Sequence, residues 1–397
     1  MKNLFVSLVP QSGGMEPNDS KAINMTMIVL AILALIGIAF GVHSLIIGHE
    51  HTFGVTREVP WGLLIAVYVF FVVTSTGLCI VSSIGHVFGY DNFEPIAKRA
   101  VYLSIVTILA GFLVIAFEIE NTWRMPVANV IGANLTSNIW WMGTLYGAYL
   151  LFMIVEFILL LKKNHKTAAA FGLAGLLSGV AAHSNLGAVF GLLNGREFWH
   201  GPYMPIYFIA SAALSGSVTI IVCTYIGYKV NHWQMSESMK TSLRSVGKLA
   251  ALTIAILLFF TIWKMITGIT GHPPGKYLAM QTLLSGSYSI NFWIGEILFG
   301  LVLPLVIILV FRSRNITALF IASLCAILGI MAMRYDLVIV GQLIPHYHDL
   351  PLVDYPKLFS YMPTLHEIMV ALSGFALTGV FLLLGEKLFR GHVVEEH

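Results

Sequence analysis

Residues 59–77 read VPWGLLIAVYVFFVVTSTG and contain no charged side chain. A helix of roughly 20 apolar residues crosses a bilayer core about 30 Å thick, so this stretch predicts a membrane-spanning helix. Outward from it, the same length and apolar character recur in nine further stretches. The predicted spans are therefore 23–47, 60–88, 98–120, 138–161, 167–193, 202–228, 247–269, 289–311, 315–341 and 364–389.

The composition of the chain agrees with a membrane location. Only 10% of the 397 residues are charged and 57% are hydrophobic, whereas about 25% of a typical soluble chain is charged. So much apolar surface excludes a soluble globular enzyme and predicts an all-α integral membrane protein. The net charge of +3 is spread over short loops, which predicts no nucleic-acid partner.

The distribution of basic residues predicts the orientation of the chain. Lysines and arginines in short loops mark the cytoplasmic side of a membrane protein. With ten spans, fifteen of the 22 lysines and arginines fall on the side that holds both chain ends. Both termini are therefore predicted to be cytoplasmic, with 1–22 and 390–397 as cytoplasmic segments. Connections on the outer side are longer and rich in aromatic residues, as binding loops often are.

Ionisable side chains inside apolar spans are costly unless they are paired or face a polar cavity, so each is a functional candidate. At a rise of about 1.5 Å per residue, Tyr68, Glu118 and His183 fall at similar depth near the outer side, and we expect them to converge on one pocket. His86 and Glu156 fall towards the cytoplasmic side and are predicted to form a proton relay. The alternative is that these two residues lie among the lipid head groups.

The second half of the sequence has its own charges within spans. Lys264 and Glu296 have opposite sign and similar depth, which predicts a structural ion pair. Arg334 and Asp336 are expected to tie outer loops together.

No metal site is predicted, because the three cysteines lie more than a hundred residues apart and show no CxxC spacing. A membrane haem b needs two axial ligands, commonly facing histidines. His43, His86 and His183 lie in spans or at their ends, but at depths that do not pair well. We therefore expect no intrinsic metal or haem, and a haem b-bearing membrane anchor remains an alternative.

Seven local strings together resemble the NrfD / polysulfide reductase membrane-subunit family. The later ones are most similar to the ten-helix branch that includes the membrane subunit of certain nickel–iron hydrogenases and the integral subunit of sulfate-reducer membrane redox complexes. The strings are VPWGLLIAVYVFFVVTSTG (59–77), FEIENTWRMP (117–126), NLTSNIWW (134–141), AHSNLG (182–187), NFWIGEILFGLVLPL (291–305), MRYDL (333–337) and YMPTLHEIMVALSGF (361–375).

This resemblance implies a quinone-reactive subunit without metal centres. It implies two four-helix bundles, 60–193 and 202–341, flanked by single helices at 23–47 and 364–389. The implied partners are a ferredoxin-type iron–sulfur subunit on the outer, extracytoplasmic face and further catalytic or cytochrome subunits. The implied location is the cytoplasmic membrane of a prokaryote.

The resemblance also implies a pocket for menaquinone or ubiquinone between the second and fifth spans. Glu118 and His183 are the predicted catalytic residues, since a carboxylate can accept protons from quinol and an imidazole can donate to a quinone oxygen. Either His183 or Asn185 matches the family's contact on the fifth span, and Tyr68 stands where some relatives have histidine. Trp140 and Trp141 are first of all interface-belt residues. The predicted quinone-binding residues are Trp61, Tyr68, Asn185, Trp140 and Trp141.

Two other functions compete with this one. An ion-coupled secondary transporter could use Lys264, Glu296 and Arg334 as its site, but transporters of that kind usually have matching broken helices in both halves. The eighth span has Gly300 and Pro304, and no corresponding break is evident in the first half. A passive anchor that only holds partner subunits is the second competitor.

Overall fold

The computed structural model of this protein describes residues 21–348, 350 and 355–389. Within these ranges ten helices are long and apolar enough to cross a membrane, which confirms the predicted all-α membrane fold. The predicted terminal segments lie outside the described residues over 1–20 and 390–397. The helices are α1 (Lys21–Ile47), α2 (Leu63–His86), α3 (Glu94–Glu118), α4 (Asn138–Leu161), α5 (His165–Gly191), α6 (Tyr203–Val230), α7 (Glu237–Ile269), α8 (Asn291–Val310), α9 (Ile316–Leu343) and α10 (Leu365–Phe389).

Short helices occupy several connections between the spans. They are His49–Thr52, the single 3₁₀ turn Asp91–Phe93, Arg124–Ile131 and Pro274–Leu284. The first part of α8, Asn291–Val302, is π-helical, and its second part is an α-helix from Leu303 to Val310.

Capping residues define where four of the helices begin. The side chains of Ser137, Asn164, Ser236 and Asn315 each accept a hydrogen bond from a backbone N–H in the first turn that follows, as is usual for Ser and Asn at this position. The cap at Ser236 starts α7 at Glu237, well before the predicted limit at 247. An ion pair between Glu237 and Lys240 at 2.7 Å supports this polar first turn. The sequence prediction began only where the apolar run begins.

The spanning helices pack in two neighbouring groups. In the first group α2 packs on α3, α3 on α4, α4 on α5 and α5 on α2; in the second, α6 to α9 pack in the same cyclic order. Helix α2 of the first group also contacts α6 and α9 of the second, so it forms the boundary between the two groups. Helices α1 and α10 pair with each other, and α10 packs on α3 as well.

The two groups meet where α2 crosses α6. A Cβ atom on Gly77 would lie 1.9 Å from the carbonyl oxygen of Ala212, and one on Gly216 would lie 2.0 Å from the carbonyl carbon of Gly77. Only glycine allows such close backbones, as at other small-residue crossings in membranes. The crossing sets α2, which carries Tyr68, against α6, which carries Ser211.

The two ends of the helical body are named here by residues that mark them. At the Trp61 end, α2 begins just after Trp61, α5 ends at Gly191 and α9 ends at Leu343. At the His86 end, α2 ends and α3 and α5 begin.

Candidate functional site

Gln342 holds the backbone of Trp61 at the Trp61 end. The Trp61 N–H donates to Oε1 of Gln342 at 2.9 Å, and Nε2 of Gln342 donates to the carbonyl oxygen of Trp61 at 2.9 Å. Trp61 precedes α2, so its backbone groups have no partner within that helix. One buried side-chain amide near the end of α9 therefore satisfies both of them.

The indole of Trp61 forms a wall of a cavity at this end. It stacks on the Trp199 ring, with 5.3 Å between centroids and 26° between planes, and Nε1 of Trp199 donates to the carbonyl of Leu337 at 2.7 Å. The cavity has a volume of about 390 Å³, and the 192–196 turn and Gln342 line it together with the two indoles. This is within the usual size range of small-molecule sites.

Arg196 ties the rim of this cavity together. Its Nη1 donates to the carbonyl oxygen of Gln342 at 2.8 Å, and its Nη2 donates to the carbonyl oxygen of Glu58 at 3.0 Å. One guanidinium group thus links the ends of α5 and α9 to the segment that precedes α2.

His183 lies deeper in the first group of helices, about 12 Å along α5 from Gly191. Its side chain is fully buried, and Nδ1 lies 3.1 Å from the hydroxyl oxygen of Tyr146 on α4. Among the described residues, Nε2 of His183 has no hydrogen-bond partner. A buried imidazole with one unpaired nitrogen can exchange a proton with a polar ligand that reaches it.

Two phenylalanines fill the space between the cavity and His183. The Phe190 ring packs edge-on against Trp61 at 5.3 Å and against Trp199 at 5.1 Å. The Phe208 ring lies 5.7 Å from Phe190 and 5.6 Å from the His183 ring. A ligand ring that entered at Trp61 would therefore have to move these side chains in order to touch His183.

Arg334 on α9 is fully buried. Its Nη2 donates to Oγ of Ser211 on α6 at 2.5 Å, and its guanidinium carbon lies 5.1 Å from the centroid of the Phe208 ring. Nε and Nη1 find no partner in the described part of the protein. The expectation that Arg334 ties outer loops together is wrong, because its contacts join α9 to α6.

Tyr68 and His183 share Tyr146 as a neighbour, which brings two of the predicted residues to one place. Tyr68 is buried on α2 and lies near Tyr146. One turn further along α4, the hydroxyl of Tyr149 donates to the carbonyl of Ser75 at 2.9 Å and lies 2.9 Å from its Oγ. Polar groups therefore continue from Tyr68 towards the middle of the first group.

Glu156 and His86, the predicted relay residues, lie towards the His86 end. Glu156 is 1% exposed, and over residues 21–348, 350 and 355–389 neither of its carboxylate oxygens has a hydrogen-bond partner. It interacts electrostatically with His86 and with Tyr149. Gly172 makes room for this carboxylate, because a Cβ atom there would lie 2.6 Å from Oε1 of Glu156.

Glu118 has different polar neighbours from His183. It is half-buried at the end of α3, and its electrostatic neighbours are Glu367 and the backbone of Gly62. Oε1 of Glu367 accepts a hydrogen bond from the Tyr361 hydroxyl at 2.5 Å. Burial and this carboxylate raise the pKa of the Tyr361 phenol well above its ordinary value, which keeps it a donor. Because the Gly62 backbone is one of its neighbours, Glu118 lies beside the turn that follows Trp61.

Three of the predicted quinone-binding side chains use their polar atoms in backbone contacts. Nδ2 of Asn185 donates to the carbonyl of Asn138 at 2.7 Å, at the start of α4. Nε1 of Trp140 donates to the carbonyl of Asn129 at 2.7 Å, and Nε1 of Trp141 donates to that of Leu135 at 2.9 Å. The two indole bonds fasten the 121–137 connection to α4, and the Asn185 bond joins α5 to the start of α4. The ring faces remain as possible contact surfaces.

Lys264 and Glu296 are not in direct contact, contrary to the predicted ion pair. Within the described residues no nitrogen–oxygen distance of 4 Å or less joins them, although they interact electrostatically. The Lys264 ammonium instead lies 4.2 Å from the centroid of the Phe198 ring. Asp336 does not reach the outer loops either, since its Oδ1 accepts from Nδ2 of Asn291 on α8 at 2.7 Å.

Sequence reasoning missed Tyr146 and Gln342. Tyr146 could have been found, because Tyr146, Tyr149, Met153 and Glu156 recur every three or four residues and form the buried face of α4. No comparable pattern marks Gln342, whose partner Trp61 lies in the other half of the sequence.

Together, ten spanning helices and a buried imidazole–phenol pair define a multi-pass membrane protein with groups that can exchange protons inside its helical body. Residues 51–346 match the family described as Polysulphide reductase, NrfD, and the chain belongs to this family. The resemblance seen in the local strings is thereby confirmed.

Three relatives show how far the similarity extends. A selenate reductase subunit of Mesobacillus selenatarsenatis is 25% identical, with 90% of this chain and 91% of that protein covered. The Hdr-like menaquinol oxidoreductase integral membrane subunit of Archaeoglobus fulgidus is 25% identical, with 91% and 92% covered. A polysulfide reductase chain of Wolinella succinogenes is 23% identical, with 72% of this chain and 95% of that protein covered.

Proposed function

We propose that this chain is the quinone-reactive membrane subunit of a multisubunit respiratory oxidoreductase in the cytoplasmic membrane of a prokaryote. The observation that carries the proposal is the buried pair of His183 and Tyr146. Quinone reduction takes up two protons with two electrons, so it needs donors and acceptors within the apolar body of the protein. The names of the relatives support the proposal, because they are subunits of reductases and of a menaquinol oxidoreductase.

In this proposal the quinone ring enters the cavity beside Trp61 and Trp199. The stacked indoles offer flat apolar faces, and the cavity volume of about 390 Å³ suits a single ring system. Tyr68, Asn185, Trp140 and Trp141 are the further binding residues of the proposal. Menaquinone is the first quinone to test, given the name of the archaeal relative, and ubiquinone is the second.

His183 and Glu118 have different proposed roles. Once Phe190 and Phe208 have moved aside, His183, with Tyr146 behind it, donates to the quinone oxygen and takes a proton back when quinol is oxidised. Glu118 lies near the end of α3 beside Gly62 and passes protons between the site and the aqueous surface. Glu156 and its neighbour His86 form a second proton route from the opposite end of α2.

The proposed electron partner is a ferredoxin-type iron–sulfur subunit that docks on the Trp61 end, the end that the distribution of basic residues predicts to be the outer one. Trp123, Val130 and Ile131 support this, because they are 89%, 80% and 81% exposed in the connection between α3 and α4. Exposed apolar side chains close together favour contact with another subunit or with lipid. Further catalytic or cytochrome subunits complete the proposed complex.

The function is tested with the His183→Ala variant of the intact complex. We expect quinol-linked electron transfer to fall about 100-fold or more, as when a general acid–base group is removed, while the complex still assembles. His272→Ala is the matched control, since His272 is exposed in the connection after α7. Unchanged quinol-linked activity in His183→Ala would show that His183 is not part of the quinone site. A wild-type complex without any quinone-dependent activity would favour the alternative function of a passive membrane anchor.

A further inference from the structure

Three side chains that are capable of binding metal meet at the His86 end, outside the proposed quinone pocket, and one of them, His86, also belongs to the proposed second proton route. His86 ends α2, Glu94 lies in the first turn of α3 and His165 is the first residue of α5. One ligand atom from each of them lies within 4.8 Å of the ligand atoms of the other two. In the part of the protein that the structure describes, this is the only group of three or more such side chains this close together.

The group lines a cavity, and its central imidazole is almost fully buried. The cavity measures about 260 Å³, and Asp91 lines it alongside the three side chains. The side chain of His86 is 3% exposed, and its Nδ1 lies 3.8 Å from Oε1 of Glu94. Nε2 of His86 is also buried and, among the residues described, has no hydrogen-bond partner. A buried ring nitrogen without a partner is a candidate ligand for an ion.

The backbone around the group brings Glu94 against the end of α2. His86 lies in the last turn of α2, where the helix dipole favours positive charge, whereas Glu94 and His165 begin α3 and α5, where it does not. Gly89, with φ of +73°, turns the chain back after α2, and its N–H donates to the carbonyl of Gly85 at 2.9 Å. After this turn the Glu94 carboxylate lies 3.8 Å from the His86 ring, and Asp91 lines the same cavity.

We propose that His86, Glu94 and His165 bind a divalent first-row transition-metal cation, with Asp91 or water as the fourth ligand. Two imidazoles and a carboxylate match the ligands that Zn²⁺ prefers, at about 2.0–2.2 Å each. Glu94 and His165 lie at the surface, where a change of rotamer can bring their ligand atoms to these distances. A hard cation such as Mg²⁺ would prefer an all-oxygen set.

The proposal has a structural consequence that does not depend on quinone chemistry. A bound cation would join the end of α2 to the starts of α3 and α5, three separate places in the sequence. Binding to the folded protein alone stabilises it, so the cation should raise the temperature at which the helical body unfolds.

The experiment measures Zn²⁺ binding by the full-length protein, purified in detergent and stripped of metal. Equilibrium dialysis followed by metal analysis should find one Zn²⁺ per molecule in wild type, with affinity at least tenfold lower in His165→Gln. His165 is exposed at a helix start, so this variant should fold normally. His51→Gln is the matched control, because His51 forms an exposed pair with Glu50 at 3.3 Å, and it should bind as wild type does.

A second readout separates specific ligation from loose surface binding. Co²⁺ in place of Zn²⁺ should give the visible absorption of a four-coordinate site in wild type and in His51→Gln, and His165→Gln should lose it. Thermal unfolding should shift upwards with Zn²⁺ in the same two proteins. Equal Zn²⁺ binding by wild type and His165→Gln, or an equal preference for Mg²⁺, would overturn the proposal.

Discussion

Nδ1 of His183 lies 3.1 Å from the hydroxyl oxygen of Tyr146, on neighbouring helices and with neither side chain exposed. The phenol therefore sets the orientation of the imidazole ring, and it leaves Nε2 as the nitrogen that can meet a ligand. Arg334, an electrostatic neighbour of both residues, adds positive charge to this part of the protein. In the proposed function this pair exchanges protons with the quinone, and Arg334 lies beside it on the second group of helices.

The first prediction concerns Tyr146. Tyr146→Phe removes the hydroxyl that contacts Nδ1 of His183 and leaves the buried shape almost unchanged. We expect quinol-linked turnover of the complex to fall about 10- to 100-fold, since the imidazole loses the partner that orients it, while quinone affinity changes little. Steady-state kinetics of the purified complex measure both. Tyr225→Phe is the control, because its hydroxyl lies 3.3 Å from Thr317 on exposed surfaces of α6 and α9; a similar loss in both variants would contradict the prediction.

The second prediction concerns Glu156, whose buried carboxylate interacts with Tyr149 and His86. Glu156→Gln keeps the size of the side chain and removes its ability to carry a proton. If protons move along this route, complex reconstituted in liposomes should take them up several-fold more slowly, as followed with a pH-sensitive dye. Glu50→Gln alters a carboxylate that is 82% exposed and should behave as wild type. Normal proton uptake by Glu156→Gln would show that protons travel elsewhere.

The third prediction concerns the crossing of α2 and α6. Gly77→Ala places a methyl group 1.9 Å from the carbonyl oxygen of Ala212, so the helices must separate. Overpacking of this kind costs about 1–3 kcal/mol, and we expect a lower unfolding temperature and less monodisperse protein in detergent. In Gly147→Ala, the matched control on α4, no atom lies within 4 Å of the added methyl group among the described residues. Equal stability of the two variants would argue against a rigid crossing.

The fourth prediction concerns the buried ion pair of Arg99 and Glu386, which joins α3 to α10. Nη2 of Arg99 lies 2.8 Å from Oε1 and 3.0 Å from Oε2 of Glu386, and the two side chains are 3% and 6% exposed. Glu386→Gln leaves a buried guanidinium without its countercharge and should destabilise the protein by about 3–5 kcal/mol.

Thermal unfolding of three proteins tests this. The double variant Arg99→Met with Glu386→Leu removes both charges and should recover most of the loss. Glu237→Gln, which breaks an exposed pair with Lys240, should hardly change the unfolding temperature. If the double variant were less stable than Glu386→Gln, the charge itself would not be the cause.

The spans could be predicted from sequence because an apolar run of sufficient length has few alternatives in a protein with so little charge. The start of α7 could not be predicted, because the helix begins at Glu237, capped by Ser236, with polar turns that a hydropathy pattern does not detect. Depth along each helix was also predictable, and it brought Tyr68 and His183 to the same level.

Rotation about each helix axis was not predictable from the same pattern. The predicted pocket therefore combined Glu118 with His183, although Glu118 faces Gly62 and Glu367. The predicted pocket also included Asn185, although nothing in the sequence indicated that its side-chain amide donates to the carbonyl of Asn138. The metal-binding group escaped notice for a similar reason, since His86 and His165 are far apart in the sequence and only the packing of α2 against α5 brings them together.

The amide of Gln342 has a consequence for the biosynthesis of the protein. It closes the rim around Trp61 from a position 281 residues further along the sequence. When only the first five spans have been inserted into the bilayer, the backbone groups of Trp61 at the cavity entrance have not yet met Gln342. The entrance acquires its final shape once the ninth span has been inserted, so a nascent or truncated polypeptide should be unable to hold quinone there.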